Sequence, residues 1–296
     1  MICPAPAITL ESYFRETYKP EHLVGCSRDT LIQYEVALRH WGRFSGSTPL
    51  EMIGKREIAQ FSEWLLPKRS PATVNKTLRH LLPILRFAED ADDIAKCPKY
   101  RKLKETKSVP LALTLDEFAK VLLAAESEHI DRGGIPAKLW WRSLLLACWE
   151  TGLRISAILS VTTRDVLFDS LGLYCQADAQ KDREAQWFPL SPTTMDAIKK
   201  IYDPTRILLW QKNVTNETIS RNFRRILDRS GIYAPVGMGM CFHRIRKSTA
   251  SYTHAAGGNA QKKLGHSSPT VTARYLDPRV VVSKDESPPM PLPRFC

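Results

Sequence analysis

Several features that mark common classes of protein are missing from this sequence. The seven cysteines are scattered and none forms a Cys-x-x-Cys pair, which argues against a disulfide framework or a zinc site. No apolar run is long enough to span a bilayer and no strongly basic amphipathic helix is present, so a membrane partner is disfavoured. The N-terminal stretch MICPAPAITL lacks the basic and then apolar pattern of a signal peptide. We therefore expect a cytoplasmic protein.

Clustered carboxylates are missing as well. A nuclease that uses two magnesium ions needs several Asp or Glu side chains gathered at one place, and the sequence offers no such group. We therefore expect no metal and no cofactor.

The charge of the chain favours a polyanionic partner. The 296 residues carry a net charge of +12. Residues 1–107 contain 18 basic and 13 acidic side chains, and residues 108–296 contain 25 and 18. Because both halves are basic, the excess is not confined to a single tail, and double-stranded DNA is the expected partner.

The length predicts about two domains. Residues 1–97 are expected to form a helical domain: in SPATVNKTLRHLLPILRFAED, Ser70 caps a helix, Pro71 takes its first position, and an apolar stripe recurs at helical spacing. The members of that stripe are Val74, Leu78, Leu81 and Leu85. Residues 98–111 are basic and bounded by prolines, which is typical of a linker. Residues 283–296 are rich in proline and predicted to be disordered.

The second domain, 112–282, has a mixed but mainly helical pattern. Thr114 and Glu117 form a capping box at its first helix. The stretch LWWRSLLLACWETGLR predicts a buried helix. Residues 165–191 predict two or three short strands with a polar turn at 178–184. Helices are expected again at 193–202, 216–229 and 243–256.

Six side chains in this domain suit one chemistry. Arg154 follows a turn in TGLRIS, Lys181 stands in the polar turn, and His243 and Arg246 share a helical face. His266 follows a helix end, and the segment that carries Tyr275 is expected to be a helix with Ser268 as its cap and Pro269 as its first residue. The candidate residues are, in chain order, Arg154, Lys181, His243, Arg246, His266 and Tyr275.

These residue types together can transfer a phosphoryl group. Guanidiniums offer forked, permanently charged donors to the non-bridging oxygens of a phosphodiester. Tyrosine can attack phosphorus and hold it as a covalent ester. Lysine can protonate the departing oxygen, and histidines can accept the phenolic proton or hold the phosphate.

The order of TGLR, HxxR, LGHSS and a tyrosine nine residues after the last histidine resembles the tyrosine recombinase (phage integrase) family. The resemblance implies a two-domain, metal-independent site-specific DNA recombinase. An all-α, SAM-like core-binding domain would precede a mixed, mainly α catalytic domain with a small antiparallel sheet. Four protomers would act on two DNA sites through a Holliday junction.

The same resemblance implies a role for each residue. Arg154 and Arg246 would bind the scissile phosphate, with His266 as a further phosphate ligand. His243 would be the acid/base histidine. Lys181 would be the general acid for the leaving 5′ oxygen, with Arg183 as its competitor, and Tyr275 would form a 3′-phosphotyrosine.

The sequence departs from the family pattern at two places, and two alternative functions remain open. Ala157 stands where the family usually has an acidic residue, and the segment from Arg246 to His266 is about three residues short. A type IB topoisomerase-like enzyme would share the chemistry, although its SKxxY context is absent. A DNA-binding protein that has lost catalysis is the second alternative, and Ala157 is its only support. No arm-binding domain is expected before residue 8, which favours a simple recombinase.

DNA contacts are expected from basic residues outside the apolar stripes. The alternative for each is an ordinary solvated surface. The candidates are Lys76, Arg79, Arg86, Lys102, Lys104, Arg221 and Arg224.

Overall fold

The computed structural model describes residues 7–106, 109–180, 184–233 and 242–281. The chain divides into two compact units, 1–107 and 108–296, here called the N-terminal and the C-terminal unit. Lys181 and Arg183 lie outside the described residues, as does the predicted disordered segment 283–296. Within the described ranges, no helix is both long enough and apolar enough to cross a bilayer.

The described part of the N-terminal unit is built from helices. They are α1 Leu10–Tyr13, which runs into a π-helical turn at Phe14–Tyr18, α2 Lys19–His22, α3 Arg28–Ser45, α4 Lys55–Leu65 and α5 Pro71–Asp90. The core of the unit is aromatic and aliphatic, and helices α3 and α5 pack against each other at its centre.

Helix α5 forms as its sequence predicts. Ser70 accepts a hydrogen bond from the Thr73 N–H and Pro71 takes the first helical position. The predicted apolar stripe is fully buried. Pro83 lies inside the helix without ending it, although proline removes one backbone donor there.

The predicted linker 98–111 is bonded to the N-terminal unit through residue 105, and the residue directly after it is bonded to the C-terminal unit. The Asn75 amide of α5 donates to the Leu103 carbonyl over 2.9 Å and to Glu105 over 2.7 Å, and its oxygen accepts the Leu103 N–H. At the other end, the Ala112 N–H donates to Asp277. The chain is thus held to the N-terminal unit through residue 105 and to the C-terminal unit from residue 112.

The C-terminal unit is mainly helical with a small sheet, as predicted. The helices are α6 Leu115–Ala125, α7 Ala137–Thr151, α8 Ile155–Ile158, α9 Pro192–Lys199, α10 Asn216–Arg229, α11 Phe242–Ala255, α12 Ala260–Leu264 and α13 Pro269–Ala273. The strands β1 Val166–Leu167, β2 Gly172–Cys175 and β3 Gln186–Pro189 form an antiparallel sheet in the order β1-β2-β3. Val166 pairs with Leu173, and Cys175 pairs with Gln186.

Helix α7 is the central element of this unit. Trp140, Trp141 and Leu144 on it are completely buried, and α6, α9 and α11 pack around it. The predicted capping box of Thr114 and Glu117 starts α6. Helix α7 ends at Gly152, which has a left-handed φ of +66°.

Only glycine fits at position 152. A Cβ there would lie 2.6 Å from Leu264 Cδ2 and 3.0 Å from Thr249 Cγ2, and the left-handed backbone also disfavours a side chain. The close approach brings the end of α7 against α11 and α12. It also places the residue two positions later, Arg154, beside those helices.

Candidate active site

Arg154 is positioned by the turn between α7 and α8. It is the N-cap of α8, with extended backbone angles of −65° and 145°, and the preceding Leu153 N–H donates to Thr151 Oγ1. Arg154 is half-buried. Its side chain lines a cavity of about 680 Å³ together with His266 and Glu184. The turn therefore presents one guanidinium to an open space.

Arg246 joins three segments of the C-terminal unit. It lies on α11 and only 3% of it is exposed. Its Nη1 donates to the Gly152 carbonyl over 2.6 Å, and its Nη2 donates to the Leu264 carbonyl over 2.6 Å. The same Nη2 lies 3.1 Å from His266 Nε2. These contacts hold the second guanidinium rigidly beside the histidine.

His266 follows the left-handed Gly265 that ends α12. Its N–H donates to the Gln261 carbonyl over 3.0 Å, and the Gln261 side-chain amide donates back to the His266 carbonyl. The imidazole is 7% exposed, and its Nδ1 lies 3.0 Å from Thr272 Oγ1 on α13. Both ring nitrogens thus have polar partners.

His243 lies three residues before Arg246 on α11, as the spacing predicts. Although the residue is exposed overall, desolvation of its ring and the positive charges of Lys247, Arg246 and Arg154 lower the pKa of His243 to about 4. The ring centroid lies 4.9 Å from that of Tyr275. His243 is therefore neutral at pH 7, and one of its ring nitrogens carries no proton.

Tyr275 stands between the two histidines. Its ring centroid is 4.6 Å from that of His266 and 4.9 Å from that of His243, and Arg246 Cζ lies 5.8 Å from it. The tyrosine is half-buried. Arg154, His243, Arg246, His266 and Tyr275 thus belong to one region of the C-terminal unit.

One detail of the tyrosine segment differs from the sequence prediction. Helix α13 is only five residues long, and Ser268 stands at its N-cap position without a side-chain capping bond. Tyr275 lies in the turn after the helix, and its N–H donates to the Thr272 carbonyl over 2.8 Å. Side chains from elsewhere hold the segment: Ser251 Oγ donates to the Tyr275 carbonyl and accepts the Asp277 N–H.

Asp277 is a supporting residue that sequence reasoning missed. It is completely buried, accepts the Ala112 N–H over 2.6 Å and pairs with Arg279 over 2.7 Å. Arg279 in turn donates to the Ala112 carbonyl. The sequence carries only a weak signal for this contact, an Asp-Pro-Arg run directly after the tyrosine segment.

Residues 184–186, which follow the undescribed stretch 181–183 in the sequence, approach the same region. The Gln186 amide at the start of β3 donates to the carbonyls of Lys262 and Lys263 on α12, and Glu184 lines the cavity with Arg154. Among the described residues, no three His, Cys, Asp or Glu side chains gather as metal ligands would. Ala157 is buried, with 2% exposed.

The expected DNA contacts are all solvent-exposed in their own units. Lys102 pairs with Glu105 over 3.3 Å, and Arg221 donates to Thr218. In the N-terminal unit the exposed set is Lys76, Arg79, Arg86, Lys102 and Lys104, and on α10 it is Arg221 and Arg224.

Comparisons with known proteins identify the family of the chain. The model of the phage integrase family matches residues 111–280. Tyrosine recombinase XerD of Halalkalibacterium halodurans is 22% identical over 261 residues, which cover 84% of this chain and 76% of that protein. The integrase of Enterobacteria phage 434 is 24% identical over 285 residues, covering 92% and 77%. A lambda integrase tetramer bound to a Holliday junction superposes with a TM-score of 0.75 at 23% identity, covering 96% of this chain and 81% of that one.

Proposed function

Because the chain belongs to the phage integrase family of tyrosine recombinases and is therefore a site-specific DNA recombinase, we propose that Tyr275 is its nucleophile. The observation that carries this assignment is the position of the tyrosine ring, within 5 Å of both histidine rings and beside the Arg246 guanidinium. A phenol in that place has a base and an anion-binding group next to it.

Arg154 and Arg246 bind the scissile phosphate in this proposal. The transition state gathers negative charge on the non-bridging oxygens, and permanently charged donors stabilise it where water is excluded. Arg246 is held by two carbonyls of the protein, so its guanidinium is already oriented when DNA arrives. Arg154 faces the cavity and approaches the phosphate from α8.

The proposed cleavage step transfers the phosphoryl group from the 5′ oxygen of DNA to Tyr275. The Tyr275 oxygen forms a bond to phosphorus while the bond from phosphorus to the 5′ oxygen breaks. His243 takes the phenolic proton, which fits its neutral state. Lys181 donates a proton to the leaving 5′ oxygen, and His266 contacts a non-bridging oxygen. Attack by the freed 5′ hydroxyl of another strand reverses these steps and restores the tyrosine.

No metal or cofactor takes part in this proposal. The two arginines supply the positive charge that metal ions supply in nucleases, and the lysine and the histidines transfer the protons.

The N-terminal unit, on this proposal, is a SAM-like core-binding domain that grips double-stranded DNA. Its exposed Lys76, Arg79 and Arg86 follow α5 on the side away from the buried stripe. Four protomers would act together on paired sites, by analogy with the lambda integrase tetramer bound to a Holliday junction.

Two alternatives remain for the same site. A type IB topoisomerase-like enzyme would form the same covalent bond and then let the strand swivel. A DNA-binding protein without catalysis would form no bond, and the buried Ala157 in the place of an acid is the only feature that favours it.

The test is trapping of the covalent complex on a nicked suicide substrate. We expect wild-type protein to form an adduct on a denaturing gel, in excess EDTA as well as in magnesium. Tyr275→Phe should bind the DNA and form no adduct. Tyr233→Phe is the matched control because Tyr233 is 73% exposed, and it should react normally.

Three outcomes would contradict the proposal. An adduct formed by Tyr275→Phe would remove the tyrosine from its role. Loss of the adduct in EDTA, with rescue by magnesium, would indicate a metal-dependent enzyme. Relaxation of supercoiled plasmid without any exchange between two sites would favour the topoisomerase.

A further inference from the structure

The hydroxyl of Thr272 makes a buried contact that has no role in the reaction proposed above. Thr272 is 7% exposed and lies on α13, three residues before Tyr275. Its Oγ1 lies 3.0 Å from His266 Nδ1. We propose that Thr272 is a positioning residue that accepts the Nδ1 proton of His266, fixes the orientation of the ring, and thereby couples the phosphate ligand to the nucleophile segment.

The tautomer follows from the two partners of the ring. Arg246 Nη2 lies 3.1 Å from His266 Nε2, and a guanidinium can only donate hydrogen bonds. His266 Nε2 must therefore be the acceptor, so in the neutral ring the proton is on Nδ1. That proton points to Thr272 Oγ1, which accepts it.

The contact between Thr272 and His266 Nδ1 can also form while the ring binds a phosphate. To bind a phosphate oxygen, His266 Nε2 has to carry a proton, and the ring then donates from both nitrogens. Thr272 accepts from Nδ1 in the neutral and in the protonated ring alike. The histidine can thus change its partner at Nε2, from Arg246 to phosphate, without rotating.

The position of Thr272 in the chain gives the contact a second consequence. The Thr272 carbonyl accepts the Tyr275 N–H over 2.8 Å, so one residue bonds the histidine through its side chain and the tyrosine through its backbone. A displacement of α13 would therefore move Tyr275 and release His266 together. Tyr275 and His266 therefore keep their relative positions only when Thr272 is in place.

The inference rests on the proposed function, and it is tested with three variants of the full chain. Thr272→Val keeps the shape of the side chain and removes the hydroxyl, Thr272→Ser keeps the hydroxyl, and Thr270→Val is the matched control on the exposed side of α13. Single-turnover cleavage of the suicide substrate and DNA affinity are measured separately. In parallel, nitrogen-15 NMR of the histidine rings reports the tautomer, with the His266 signal assigned by its loss in His266→Asn.

The expected results separate positioning from folding. Thr272→Val should slow cleavage by about 10- to 100-fold with DNA affinity unchanged, because the protonated His266 ring that contacts the phosphate would then hold an unpaired buried N–H. Thr272→Ser and Thr270→Val should cleave like the wild type. The wild-type His266 ring should carry its proton on Nδ1 at neutral pH, and the chemical shift of that Nδ1 should change in Thr272→Val only, because the acceptor of its proton is gone.

Two results would overturn the inference. One is a neutral wild-type His266 ring with its proton on Nε2, a result that does not depend on whether any variant folds. The other is unchanged cleavage by a folded Thr272→Val protein. If the wild type itself forms no adduct, the proposed function fails, but the NMR result still decides whether Thr272 accepts the Nδ1 proton of His266.

Discussion

Truncation of the two arginines should separate phosphate binding from structural support. Arg246 donates to the buried carbonyls of Gly152 and Leu264, and Arg246→Ala leaves both without this donor. An unpaired buried carbonyl costs about 1–3 kcal/mol, so we expect the free energy of unfolding to fall by about 2–6 kcal/mol. Arg154 instead faces the cavity, and Arg154→Ala should change stability by less than about 0.5 kcal/mol.

Both variants should lose the covalent reaction. Removal of one donor from an anionic transition state costs roughly 10²–10³-fold in rate, and we expect that loss from Arg154→Ala in a protein as stable as the wild type. Arg246→Ala should lose at least as much rate and also unfold at lower urea. The exposed Arg225 on α10 supplies the matched control, because Arg225→Ala should change neither quantity.

The measurements are urea unfolding followed by far-UV circular dichroism, and single-turnover cleavage of a suicide substrate. A fall in the urea concentration at the unfolding midpoint, with an unchanged dependence of the unfolding free energy on urea, indicates lost stability. If Arg246→Ala unfolds at the wild-type midpoint, the two carbonyl contacts do not hold the three segments together. If Arg154→Ala is destabilised as strongly, the distinction between the two arginines is wrong.

Two further predictions concern proton transfer and acid stability. Lys181→Ala should cripple cleavage of a normal substrate and spare a 5′-bridging phosphorothiolate, because the sulfur leaves without protonation. Arg183→Ala should affect both substrates alike, because arginine keeps its proton. If the phosphorothiolate rescues only Arg183→Ala, the two residues have exchanged roles. Burial acts to raise the pKa of Asp277, but hydrogen bonds from Arg279 and Ala112 outweigh it and hold that pKa below its usual value. A carboxyl with a depressed pKa stabilises the fold above its unfolded pKa of about 4 and loses that contribution at lower pH. Unfolding curves should therefore show a steeper loss of stability below about pH 4 in the wild type than in Asp277→Asn, and equal pH dependence would contradict this.

Local patterns in the sequence determined much of the secondary structure. The Ser70 cap and the stripe from Val74 to Leu85 predict α5, and the capping box at Thr114 predicts the start of α6, because each depends on residues within one or two helical turns. The spacing of His243 and Arg246 likewise places both on one face of α11. The candidate residues of the site could be proposed from the sequence because the order of their short motifs resembles that of one family.

Tertiary structure alone decided how those residues are supported. Arg246 bonds a carbonyl 94 residues away in the chain, and Asp277 bonds the N–H of Ala112 across 165 residues. Contacts of this kind leave no periodic signal, because they depend on how helices pack and on which backbone groups a neighbour leaves unpaired. The bond between Thr272 and His266 spans only six residues, yet it depends on the turn between α12 and α13 folding back beside α11. The sequence thus determined which side chains are available for the proposed reaction, and packing decided how Arg154, Arg246, His266 and Tyr275 are held near one another.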